Sequence, residues 1–215
     1  LILVGVGVGA QAWQLAMATP TPTSTPTPTQ AERIAPLRQE IDRTWGTKQW
    51  PQIIALLERI QAIDPDYPGL AERLCAAHLL YGLELVKSNR LERAIEQFDQ
   101  ALELNPHEET ARRERQLAAA YLAGLENHRR GYWTQAIKEL STVYNLNPDY
   151  KEVRFLLYSA HYNYGLSLQR AGHLTEARKE YERALEVQSD GTEAQARLTE
   201  VILLLTPPTP TPIPT

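Results

Sequence analysis

A pattern that returns every 41 or 42 residues constrains this chain more than any single motif. RLERAIEQFDQALELNP (90–106), YWTQAIKELSTVYNLNP (132–148) and HLTEARKEYERALEVQS (173–189) repeat one another, and WPQIIALLERIQAIDP (50–65) is a weaker copy. The aligned positions Ile53, Ala94, Ala136 and Ala177 lie 41, 42 and 41 residues apart. Apolar residues recur at helical spacing in every copy. Three copies close on Asp-Pro or Asn-Pro, at Pro65, Pro106 and Pro148. Proline disfavours helical geometry in the residue before it, so a helix stops readily there. Self-similarity at such a period marks stacked supersecondary units, none of which buries its apolar side alone.

A second helical segment precedes each later copy, over 70–89, 110–131 and 153–172. Gly82, Gly124 and Gly165 recur within these segments, each 12 residues before the matching alanine. Small residues at fixed helical positions let helices cross closely. Gly131 and Gly172, with Asn89 in the earlier copy, supply the turn between the two helices, since both residue types tolerate left-handed geometry.

With these residues in phase, the chain resembles the tetratricopeptide repeat family over residues 32 to 188. The match rests on Gly82, Gly124 and Gly165; on Ala94, Ala136 and Ala177; on Phe98, Leu140 and Tyr181; on Ala101 and Ala184; and on the closing prolines. The resemblance implies an all-α, right-handed superhelical solenoid of antiparallel helix pairs that binds peptides or proteins and catalyses nothing. One departure is informative. The family period is about 34 residues, so this chain adds about seven, which fall after the proline and make roughly two helical turns. First helices are therefore expected to overhang the second ones, with Arg112, Arg113, Arg115, Phe155, Leu156 and Leu157 in the overhang. Successive overhangs pack either on each other or on another subunit.

The family's ligand groove is lined by first helices. Carried over position by position, it implies Leu79, Leu83, Val86 and Lys87 in the second repeat. The third contributes Tyr121, Leu125, His128 and Arg129, and the fourth Tyr162, Leu166, Gln169 and Arg170. Some members clamp a terminal carboxylate with asparagine, but the matching positions here hold Leu83, Leu125 and Leu166. Lys87, Arg129 and Arg170 form a recurring basic line suited to an acidic partner, or plain solvated helix ends favoured by the macrodipole.

Charge divides the chain. No charged residue precedes Glu32 and none follows Glu200. Residues 1–18 are an apolar stretch containing Trp13. Its readings are a membrane anchor, a signal-peptide remnant, or a helix buried in an assembly. Residues 19–30 and 206–215 are Thr/Pro-rich, expected as stiff extended arms and similar in composition to the glycosylated stalks of exported proteins. The solenoid is assigned to 31–205, with a capping helix from Thr192 to Leu205. That helix ends in Val201, Ile202, Leu203, Leu204 and Leu205, more apolar than a solvated cap. Trp13, Phe155, Leu156, Ile202, Leu203 and Leu205 are thus candidate assembly surfaces.

Signals for chemistry are absent from the sequence. The net charge of -4 argues against nucleic acid. Five histidines show no i+3 or i+4 pairing, and His78 and His161 share one repeat position, which points to packing. Cys75, the single cysteine, reads as a small buried apolar residue or, in an electropositive setting, a reactive thiol. No catalytic residue, metal site or cofactor is expected. The principal expectation is an extracytoplasmic, cell-surface scaffold that self-associates through repeats and arms into a homo-oligomer, filament, tube or layer. The alternatives are a module anchored in a membrane through residues 1–18 that binds peptides or proteins, and an accessory subunit of an envelope or secretion complex.

Overall fold

The computed structural model describes residues 27–206. The apolar residues 1–18 with Trp13, and most of both Thr/Pro segments, lie outside the described residues. Among the described residues the chain is all helix and turn. The helices are α1 (Gln30–Thr44), α2 (Trp50–Ile63), α3 (Leu70–Lys87), α4 (Leu91–Leu104), α5 (Glu109–Arg129), α6 (Trp133–Leu146), α7 (Val153–Arg170), α8 (Leu174–Val187) and α9 (Thr192–Leu205). Each packs against the next in antiparallel fashion, and α5 also touches α3 and α7. The result is an all-α solenoid of stacked helix pairs.

Local chemistry sets the boundaries. Thr29 opens α1 with a capping box: its backbone N–H donates to Glu32 Oε2 at 2.7 Å, and Glu32 N–H returns to its hydroxyl at 3.3 Å. The first helices α3, α5 and α7 close with one device. Asn89, Gly131 and Gly172 take φ of 57°, 75° and 82°. The next residue, Arg90, Tyr132 or His173, donates back to Leu85, Asn127 or Leu168 at 2.9 Å, which satisfies a terminal carbonyl. The second helices α4 and α6 stop at Asn105 and Asn147 in extended geometry, each before a proline.

Packing follows from size complementarity. A Cβ added to Gly82 would stand 2.4 Å from Phe98, one on Gly124 2.7 Å from Leu140, and one on Gly165 2.6 Å from Tyr181. Phe98, Leu140 and Tyr181 are fully buried, as are Ala94, Ala136 and Ala177. Each first helix therefore lies against the large side chain of its second helix with no room for a methyl group. Tyr81, Leu104, Val86 and Val187 each pack against two neighbouring clusters, so the core runs on from pair to pair.

The first helices α3, α5 and α7 have 18, 21 and 18 residues, against 14 for α4, α6 and α8. The extra length is partly used inside the chain. Arg115 pairs with Asp99 and Arg112 donates to the Pro106 carbonyl. Leu156, expected as an assembly surface, is instead 8% exposed and packs with Leu157, Tyr150 and Val153 in the main core. Its neighbour Phe155 points outward and is 60% exposed. On a helix, consecutive side chains stand about 100° apart, so Phe155 is turned out of the arc that Leu156 and Leu157 present to the core.

Candidate functional site: the first-helix face and its basic edge

The twelve positions carried over as a groove fall on α3, α5 and α7. On α3, Leu79 and Leu83 are half-buried against the cluster of Cys75, Leu85 and Phe98. Leu79 also lines a cleft with Ala71, Glu72, Cys75, Leu104 and Glu108, so carboxylates stand at its rim. Cys75 donates its thiol to the Ala101 carbonyl at 3.4 Å, and burial pushes its pKa up. This setting is that of an inert buried thiol.

The middle of the face is covered by the chain itself. The loop between α6 and α7 folds across α5, and three of its residues anchor it. Tyr150 is 6% exposed and meets the Tyr121 ring edge-on at 5.7 Å. Glu152 accepts the Tyr121 hydroxyl at 2.7 Å. Lys151 donates to the Val86 carbonyl on α3 at 3.1 Å, bridging 65 residues of sequence. The ammonium thus meets the C-terminal end of α3, where the helix dipole favours a cation. Tyr121, placed by the resemblance in an open groove, is in fact 5% exposed beneath this loop. Burial and the Glu152 contact raise its pKa, and burial with nearby Glu114 pushes Tyr150 up to about 12.

The other polar positions of the face are also engaged internally. His128 Nε2 meets Ser159 Oγ at 3.0 Å and its ring sits edge-on to Trp133; burial lowers its pKa. Gln169 accepts from the buried Tyr181 hydroxyl at 2.7 Å. Tyr162 stacks parallel to Tyr158 with ring centres 6.3 Å apart. Leu125 and Leu166 are half-buried against the core. What remains in water is the basic line: Lys87, Arg129 and Arg170 are all exposed at the last residue of their helices. None of the three forms an ion pair among the described residues.

The buried histidines also serve packing. His78 Nδ1 meets Gln97 Oε1 at 2.9 Å, and His161 Nδ1 meets Glu180 Oε2 at 2.7 Å, one helix pair binding its own halves. No group of three or more His, Cys, Asp or Glu among the described residues is placed to hold a metal ion. Exposed apolar side chains gather at the end of α9. Val201 is buried with Ala177 and Tyr181, while Ile202, Leu203, Leu204 and Leu205 remain exposed.

Two family models described as tetratricopeptide repeat match the chain, over residues 76–108 and 158–190. The first spans most of α3 with α4 and the second most of α7 with α8, the pairs joined by Gly82–Phe98 and Gly165–Tyr181. Residues 76–108 and 158–190 are tetratricopeptide repeats. Among solved structures, MamA of AMB-1 is 20% identical, covering 80% of this chain and 82% of that chain at a TM-score of 0.29. MamA of MSR-1 is 18% identical, with 80% and 86% covered and a TM-score of 0.27. MamA of RS-1 is 17% identical, with 82% and 96% covered and a TM-score of 0.25. No curated protein matches.

The extracytoplasmic, cell-surface or membrane-anchored placement expected from the sequence is not retained. No helix among the described residues is long and apolar enough to cross a membrane.

Proposed function

We propose that this tetratricopeptide chain is a non-enzymatic scaffold that associates with an acidic protein surface through the exposed edge of its first helices. The observation that carries this reading is the basic line. Lys87, Arg129 and Arg170 recur at one position of successive repeats, stand in water and form no ion pair among the described residues. Cations held at fixed spacing on a rigid frame steer and orient a partner of opposite charge. The first-helix face supports this reading over a peptide threaded along a groove, because Tyr150 and Glu152 cover its middle.

The test is fluorescence anisotropy with a labelled glutamate-rich peptide of about 15 residues, which at full extension is long enough to pass two repeats. The triple variant Lys87→Ala, Arg129→Ala, Arg170→Ala is expected to bind at least about tenfold more weakly than the parent. A control triple removes the same charge from the exposed cations Arg59, Lys138 and Lys179 of the second helices. Equal loss in both triples, or no binding by the parent, sinks the reading.

A further inference from the structure

The solenoid separates its charge between two edges. Helices alternate in direction, so every turn leaving a first helix lies on one edge and every turn leaving a second helix lies on the other. The turns after first helices, taken with the last two residues of each first helix, span 43–49, 86–90, 128–132 and 169–173, and every charged residue in them is basic. Arg43 and Lys48 stand in the first turn and Lys87 and Arg90 in the second. Arg129 and Arg130 follow in the third and Arg170 in the fourth, and all seven are exposed. Among the described residues only Arg130 of these seven forms an ion pair, with Glu126.

The opposite edge has the reverse composition. Its turns at 63–70 and 104–110 carry Asp64 and Asp66, then Glu108 and Glu109, with no Lys or Arg. Those at 146–152 and 187–193 carry Asp149, Glu152, Asp190 and Glu193; Lys151 there is turned inward to the Val86 carbonyl, and Arg154 of α7 reaches back to pair with Asp149. Helix dipoles do not explain the division, because each edge gathers one helix C-terminus and one N-terminus per pair and their partial charges offset. The second helices between the edges have 14 residues, a span of about 21 Å. That exceeds a screening length of about 8 Å at physiological salt, so each edge acts as a separate field.

We propose that a second copy of this chain docks side by side on the first, the basic first-helix edge of one against the acidic edge of the other. This rests on the association reading above and names its partner. Charge complementarity selects the occupant: both edges belong to one rigid solenoid, so the step from turn to turn on one edge is matched by the step on the other. Such a contact uses two different patches of each copy. It is therefore heterologous and leaves a free edge of each sign for the next copy, which extends the row.

The test is sedimentation velocity of the full chain over a concentration series at two ionic strengths. At about 20 mM salt, where screening reaches about 20 Å, the weight-average mass rises at least about twofold with concentration. At about 500 mM, where screening falls below about 5 Å, it returns to one copy. Association through apolar residues would respond to salt in the opposite sense. One variant cancels most of the charge of the basic edge outside the line already tested (Lys48→Glu, Arg90→Glu, Arg130→Glu). A second cancels most of the charge of the acidic edge (Asp66→Lys, Glu109→Lys, Asp190→Lys). Each alone stays a single copy with parental helicity, and mixing the two restores association. A parent that stays single at low salt, association insensitive to salt, or a mixture no larger than its components overturns the proposal. Peptide binding by a parent that stays single would leave the scaffold reading standing without it.

Discussion

Replacing Gly82 by alanine tests the packing rule from which the solenoid is built. The new Cβ would meet Phe98 Cε1 at 2.4 Å, Cδ1 at 2.7 Å and Cζ at 2.9 Å. Carbon atoms rest at about 3.5 to 4.0 Å, so the ring must retreat by roughly 1 Å. Phe98 is fully buried and has nowhere to go without moving its neighbours. Overpacking of this kind costs about 1–3 kcal/mol. Alanine also stabilises a helix interior by about 1 kcal/mol relative to glycine. The net expectation is a loss of up to about 2 kcal/mol. The sharper quantity is its dependence on Phe98. In a Phe98→Leu background the shorter side chain frees the space, and Gly82→Ala should turn stabilising by up to about 1 kcal/mol. Urea unfolding followed by helical circular dichroism measures all four corners of the cycle. Gly46→Ala, with nothing within 4 Å of the added Cβ, is the neutral control. The same free-energy change in both backgrounds would refute the size-complementarity argument.

Other outcomes follow from the same contacts. Glu180→Ala strands the buried His161 and should lose about 3 kcal/mol by thermal or urea unfolding. Glu180→Gln, which copies the His78–Gln97 pair, should lose only about 1 kcal/mol; equal losses would count against a specific contact. Tyr150→Phe removes a buried hydroxyl that has no partner among the described residues and should be neutral or stabilise by up to about 1 kcal/mol, whereas a clear loss of midpoint would contradict this account. Acid should weaken the loop, because the Tyr121 hydroxyl bond holds the Glu152 carboxyl below its ordinary value. A carboxyl depressed in the folded state contributes fully above the unfolded pKa of about 4.3, and the contribution fades as pH falls through the lower folded value. Tyr121→Phe should therefore flatten part of the stability loss between about pH 5 and pH 3; an unchanged slope would exclude the contact as its source.

The helix pairs were legible because each rests on residues close in sequence and repeated in phase. Asn-Pro stops, the turn residues Asn89, Gly131 and Gly172, and the buried alanines all announce themselves by period. The cover over the face could not be read in that way. Lys151 adopts φ of 49°, a geometry that its side chain does not signal, and its partner Val86 is 65 residues away. No local pattern encodes a contact that skips one repeat. Leu156 was misplaced for a related reason. Counting residues beyond the second helix marked it as overhang, but the folded-back loop brings Tyr150 over it and converts an end into core.

The same loop bears on why association is argued at the edge rather than along the face. In each later repeat the residue just before the cation is engaged inside the chain. The Val86 carbonyl receives Lys151, His128 meets Ser159, and Gln169 receives Tyr181. These contacts pin the last turn of α3, α5 and α7. The next residue stands about 100° further round the helix and so projects from the edge in a related direction each time. Lys87, Arg129 and Arg170 are thus carried on last turns whose orientation is already fixed, and less ordering remains for a partner to impose. A groove binder needs polar side chains left free along the first-helix face. Here the face uses them to hold the solenoid together, and the unpaired charge stands at its margin.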